Sequence, residues 1–185
     1  MVPARPVQIH LATRPARQVR RRALAAAAFA GIAMALSGVL FSHHHWLVWN
    51  RTRSAPLGLY RLSGAPITPG RWVAVSADSD AALWASHRGY TGPGWPLLKR
   101  VAAASGAEIC RDNLEIFIDG EHVATALASD NLGRDMPVWR GCVTLQDGEF
   151  FLLNAHPRSL DGRYFGVTKS EDVDGVAVPL ILLSD

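Results

Sequence analysis

Acidic side chains are missing from the first 77 residues: none precedes Asp78, while residues 1–22 carry six arginines. Without that tail the chain has 13 basic against 16 acidic side chains, a formal charge of −3, so the pI near 9.2 belongs to the N-terminus. This speaks against a nucleic-acid-binding domain, which needs its basic groups on the folded surface. Cysteine is almost absent too, with only Cys110 and Cys142 and no histidine or C-x-x-C context beside either, which argues against a catalytic cysteine. Internal repeats are lacking, and the only low-complexity stretch is rich in alanine. At 185 residues the chain suits one domain with a substantial core and hardly two.

What is present begins with an apolar run. Residues 23–41 contain no charge and carry Leu24, Phe29, Ile32, Met34, Leu36, Val39 and Leu40, near the length that spans a bilayer as a helix. Arginines flank it on one side only, which predicts a cytoplasmic tail over 1–22 and export of everything after Phe41. Trp46 and Trp49 then fall where an interfacial aromatic belt sits. A cleaved signal peptide is the other reading, since Ala33-Met-Ala35 suits a small-x-small cleavage site; the length of the run favours the uncleaved anchor. Both readings export the domain. In an oxidising compartment a lone cysteine pair is expected to form a disulfide rather than remain as two buried thiols. Closing that loop of roughly 33 residues stabilises by about 3–4 kcal/mol in the chain-entropy model.

Beyond the anchor, residues 42–185 read as a single mostly-β domain. Strands are expected over 71–75, 114–118, 121–124, 142–146, 149–153 and 175–183, the last with Pro179 marking an edge or a bulge. Asp119-Gly120 and Asp147-Gly148 are hairpin signals. One helix is expected over 80–86, capped by Asp78 or Ser79.

Two residues stand out chemically. Ser54 lies in Ser-x-Pro-x-Gly-x-Tyr at 54–60, and Lys99 in Leu97-Leu-Lys-Arg-Val101. A serine must lose its proton to a base as it attacks, and a lysine can be that base only when neutral. Burial disfavours the charged amine; Leu97, Leu98 and Val101 supply the apolar surroundings. Each residue alone is ordinary, a turn serine and a strand lysine. The order serine then lysine just past an anchor, followed by Ser159-Leu-Asp-Gly-Arg-Tyr-Phe-Gly166, raises the pair above that ordinary reading.

In these three segments the chain resembles the type I signal peptidase superfamily, and most closely its TraF-type maturation peptidases of conjugative transfer. The resemblance implies a signal-peptidase-like β-rich fold with Ser54 as nucleophile and Lys99 as general base. It implies Thr52 as an oxyanion-hole hydroxyl beside the Ser54 backbone N–H, Ser159 as the hydroxyl orienting the lysine, and Asp161 with Arg163 as an ion pair close by. The implied protein is a single-pass enzyme of the bacterial inner membrane with its catalytic domain in the periplasm. Its partner would be an exported, signal-bearing or pilin-like precursor, cut and in some cases cyclised. Two departures, Ser105-Gly106-Ala107 in place of Pro-Gly-Asp and Asn154-Ala-His-Pro-Arg158 in the last motif, speak against a housekeeping enzyme of broad range. A non-catalytic assembly component of a secretion apparatus, sharing anchor and strands, is the rival reading.

No cofactor or metal is expected. His43-His44-His45 have no carboxylate or thiolate nearby and, as neighbours on a helix, point in different directions. His156 is not expected as a triad member, because a neutral lysine already supplies the base.

Overall fold

A computed structural model describes residues 16–41 and 47–183. The chain divides into two units, 1–44 and 45–185, taken separately below. Of the sequence-based expectations, the tail before residue 16, the three adjacent histidines and Trp46 lie outside the described residues.

The first unit is one helix, α1 (Ala16–Phe41). Side chains are described for residues 20–34 of it, all exposed, including the apolar Leu24, Phe29, Ile32 and Met34. Among the described residues no helix is long and apolar enough to cross a membrane. The expected single span over 23–41 therefore rests on the sequence run and not on the structure.

The second unit is built on two sheets. Its strands in chain order are β1 (Leu47–Asn50), β2 (Gly58–Ser63), β3 (Trp72–Val75), β4 (Leu97–Ala103), β5 (Glu108–Asp112), β6 (Glu115–Ile118), β7 (Glu121–Thr125), β8 (Gly141–Thr144), β9 (Glu149–Leu152), β10 (Val167–Lys169) and β11 (Val173–Leu182). Seven form one sheet in the order β1-β2-β11-β3-β4-β9-β10, and four form a second, β7-β6-β5-β8. All the named pairings are antiparallel. Among the described residues two α-helices, α2 (Asp80–His87) and the single turn α3 (Gly162–Phe165), and a 3-10 turn at Ser170–Asp172 complete the unit. The expected helix is α2. Its N-cap is Ser79, whose Oγ accepts from the Ala82 N–H at 3.3 Å, and Ala82 and Ala85 seat it on the core.

The large sheet is buried on both faces where its central strands run. In β3, Val73 and Val75 pack with Leu97, Val101, Leu152 and Val176 on one face. Ala74 packs with Tyr60, Leu62, Leu98 and Ala177 on the other. Because strand side chains alternate, Lys99 shares the face of Leu97 and Val101, directly opposite Val73 in register. Leu98 faces the other way, so it does not belong to the lysine's surroundings as the sequence reading had it.

Asp119-Gly120 forms the expected hairpin between β6 and β7, with both residues at positive φ, 50° and 80°, as a two-residue turn of this hand requires. Asp147-Gly148 does not. It is a turn, but it joins β8, paired with β5, to β9, paired with β4 and β10. The reason lies in the flanks. Cys142 sits opposite Cys110 and is bonded to it, whereas Phe150, Phe151 and Leu152 are buried at consecutive positions, as suits a strand covered on both faces. Leu145, fully buried between these segments, marks the crossing. Pro179 lies beside a register shift in β11, where that strand pairs with β2 alone.

Candidate active site

The loop that carries Ser54 is organised by a buried asparagine. Asn50, the last residue of β1, donates through Nδ2 to the carbonyls of Thr52, Ala55 and Pro56 at 3.0, 3.0 and 2.9 Å. Its Oδ1 accepts from the Thr52 N–H at 3.1 Å and from the Thr52 hydroxyl at 2.9 Å. Tyr60 closes the loop from β2, its hydroxyl donating to the Pro56 carbonyl at 2.7 Å. Gly58 is required by contact: its φ is +149°, and a Cβ there would lie 2.1 Å from the Ile181 carbonyl oxygen. The Pro, Gly and Tyr of the 54–60 motif thus shape the turn that presents the serine.

A second buried asparagine ties this turn to the lysine strand. Asn154, 1% exposed, donates through Nδ2 to the Ser54 carbonyl at 2.9 Å and the Leu98 carbonyl at 3.2 Å. Its Oδ1 accepts from the Arg100 N–H at 2.9 Å. One side chain thereby grips the backbone on both sides of Lys99 and the backbone of Ser54.

Lys99 is 5% exposed, and its Nζ donates to the Ser159 hydroxyl at 3.3 Å. Burial pushes its pKa down to about 8, against the pull of the Asp161 carboxylate and with a smaller push from Arg163. The amine is therefore neutral in a useful fraction of molecules near neutral pH. Asp161 is itself buried, and burial raises its pKa against Arg163, Lys99 and two backbone N–H groups.

The third segment is a scaffold around that pair. Asp161 caps α3, accepting from the Arg163 N–H at 3.2 Å and, on its other oxygen, from the Asn154 N–H at 3.0 Å. The Arg163 guanidinium lies 3.3 Å from the Asp161 carboxylate. It also donates to the carbonyls of His156 and Pro157 at 3.0 and 2.8 Å, and to that of Asn154. Gly162 admits the close approach of Phe151, whose ring edge would lie 2.5 Å from a Cβ. Arg111 and Trp139 brace the segment from behind, donating to the Arg163 and Gly162 carbonyls at 2.6 and 2.9 Å.

Ser54, Lys99, Ser159 and Thr52 line one cleft of about 820 Å³. The Thr52 and Ser54 hydroxyl oxygens are 3.5 Å apart. Asp161 and Arg163 lie behind it rather than on its wall. His156 is on the rim and exposed, its Nδ1 accepting from the Arg158 N–H at 3.2 Å. Cys110 and Cys142 form a disulfide between β5 and β8. Glu108 lies beside them, but sulfurs joined to one another offer no thiolate to a metal. Sequence reasoning did not assign roles to Asn50, Asn154 or Arg111. The signal was a polar residue inside or next to an apolar strand, which reads equally well as a surface position.

A serine turn and a buried lysine thus line the same cleft of this β-domain. The family model for signal peptidase, peptidase S26, matches residues 19–181, and the chain belongs to that family. Within it the chain is TraF-like. It is similar to two proteins from Escherichia coli named plasmid transfer protein TraF. One is 30% identical over 143 residues, covering 71% of this chain and 80% of the relative. The other is 31% identical over 147 residues, covering 71% and 81%. Among solved structures, a signal peptidase I from Enterococcus faecalis matches 62% of this chain and 98% of its own at 22% identity, with a TM-score of 0.37.

Proposed function

We propose that the chain is a membrane-anchored peptidase with a Ser54–Lys99 dyad that matures an exported precursor, a conjugative pilin. Neutral Lys99 takes the proton of Ser54 as its Oγ attacks the scissile carbonyl. The Ser54 N–H and the Thr52 hydroxyl, released from Asn50, stabilise the oxyanion. The lysine then gives its proton to the leaving amine, and an acyl-enzyme ester remains. Water resolves the ester to a linear product; the precursor's own N-terminal amine resolves it to a cyclic one. Ser159 holds the lysine amine in line throughout, and Asp161–Arg163 keep the 154–163 segment in shape. The run over 23–41 is the anchor, with residues 1–22 cytoplasmic and 42–185 periplasmic at the bacterial inner membrane. Nucleic acid is no partner.

The observation that carries this reading is Lys99: a buried amine held near pKa 8 in the cleft that Ser54 lines. A docking domain has no use for it. Expressing the chain with a candidate pilin precursor, with and without Lys99→Ala, tests the proposal through the precursor's mass. A Lys99-dependent mass loss supports it, and a further loss of one water relative to the linear fragment marks cyclisation. A precursor cut equally well by Lys99→Ala sinks the dyad.

A further inference from the structure

The charge of the second unit is unevenly placed. Beyond residue 22 the chain has 13 basic and 16 acidic side chains. Six of the basic ones line the cleft (Arg51, Arg53, Arg88, Lys99, Arg134 and Arg158), against a single acid, Asp130. A domain with a net negative formal charge thus surrounds its cleft with positive charge.

Asp130 does not offset this, because it is already saturated. Its carboxylate accepts from the Tyr90 hydroxyl at 2.5 Å, from Arg134 Nε at 2.7 Å, and from the backbone N–H groups of Leu132 and Arg134 at 2.8 and 2.9 Å. It neutralises Arg134 and no more. Arg88 lies over the Trp84 ring and reaches the Asp135 carbonyl at 3.3 Å. Arg51 lies over the Trp95 ring at 3.8 Å. Both contacts orient a cation without cancelling it. The guanidinium groups of Arg53 and Arg158 have no hydrogen-bond or ion-pair partner among the described residues. Arg53 is the residue before Ser54, and Arg158 the one before Ser159.

We infer that the peptide segment entering this cleft is acidic: carboxylates near the scissile bond meet Arg53 and Arg158, with Arg51 and Arg88 extending the same field. The inference rests on the peptidase reading for the direction of the peptide, and its chemistry is that of a carboxylate. Aspartate or glutamate side chains provide it, and so does a free chain terminus. Apolar walls from Leu47, Trp95, Leu127 and Met136 share the cleft with the arginines, which suits a peptide of mixed character better than a row of phosphates. Guanidinium groups pair carboxylates through two parallel N–H donors, and a concave, partly apolar wall strengthens the field.

The test uses the full chain in neutral detergent as Ser54→Ala, so that peptides bind without turnover. Three dye-labelled heptapeptides of the same length are compared by anisotropy: one with two glutamates and an amidated end, its glutamine counterpart with an amidated end, and the glutamine peptide with a free terminus. An exposed charge pair is worth roughly two- to five-fold, so the glutamate peptide should bind about tenfold tighter than the amidated glutamine peptide at low salt. That ratio should shrink with added salt as screening sets in. Arg53→Gln with Arg158→Gln should bring it close to one, whereas Arg61→Gln with Arg71→Gln, the same charge change outside the cleft, should keep it. Tightening by the free terminus assigns the carboxylate to a chain end, and none assigns it to side chains. Equal or absent binding of the glutamate and glutamine peptides overturns the inference, as does an equal loss from the two arginine pairs. It is also overturned if the cleft pair governs capture on phosphatidylglycerol vesicles or binding of oligothymidine while the peptides bind alike. Cleavage of the glutamate peptide by the Ser54 chain is scored separately. Acid preference without Lys99-dependent cleavage sinks the peptidase reading and leaves the binding site standing.

Discussion

The two sheets of the second unit solve the problem of stability differently. In the large sheet, β3, β4 and β9 bury nearly every side chain, and this burial is enough to hold a lysine amine and an Asp–Arg pair away from water. In the small sheet β8 is exposed along its whole length and β7 almost so, and its buried apolar side chains are Ile109 and Ile116. There the disulfide pins β8 to β5. The buried polar groups of the candidate site are thus placed where packing is strongest, and covalent reinforcement where packing is thin. The small sheet still bears on the site, since Arg111 of β5 and Trp139 just before β8 hold the α3 turn.

The sharpest way to separate the two regions is Lys99→Met. It should abolish cleavage, at least about a thousandfold, as loss of a triad-type base does. It should also leave the fold as stable or more so, because a desolvated amine is replaced by an apolar chain of similar length. Thermal melts with activity assays check both halves, and a large loss of stability would break the contrast.

Cys110→Ser with Cys142→Ser should do the reverse. A loss of about 2–4 kcal/mol is expected, with faster amide exchange confined to β5–β8 and with β3 and β4 still protected. Exchange spreading evenly over both sheets would show that they unfold as one.

The pH dependence follows from Lys99. The base works when neutral, so the rate should rise through an apparent pKa of about 8 and fall by about a hundredfold from its plateau to pH 6. The stability sign runs the same way. The folded pKa lies below the unfolded one, so the unfolded chain binds more protons between them, and stability rises with pH across that window. Lys99→Met should flatten this slope.

Asn154→Ala leaves the part-buried Arg100 N–H without its acceptor and frees the Ser54 turn. A cost of about 1–3 kcal/mol in stability and roughly tenfold in kcat is expected, with KM little changed; a change in KM alone would mean that Asn154 shapes the cleft rather than the serine. Ser79→Ala is the smallest, about 1 kcal/mol from a lost helix cap, read in a denaturant titration.

Much of this was legible in the chain. The α2 helix with a cap at Asp78 or Ser79, the Asp119-Gly120 hairpin and the cysteine pair follow from local chemistry: capping, positive φ and scarcity of thiols. Local chemistry marked Ser54 and Lys99 only as a turn serine and a lysine in an apolar strand, and the resemblance to a peptidase family singled out the three segments with Ser159. The second Asp-Gly turn misled because turn chemistry reports a reversal of direction, not which sheet each flank joins. That choice was made by Cys142 pairing with Cys110 and by the burial of Phe150–Leu152.

Local sequence, then, sets what a short segment can do, because its propensities and its apolar alternation act over a few residues. It cannot say that Asn154 reaches a carbonyl 100 residues away at Ser54, that Lys99 faces Val73 rather than water, or that six of the thirteen basic side chains beyond residue 22 line one cleft. Those are matters of strand order and register, and they arise only when distant segments bury one another.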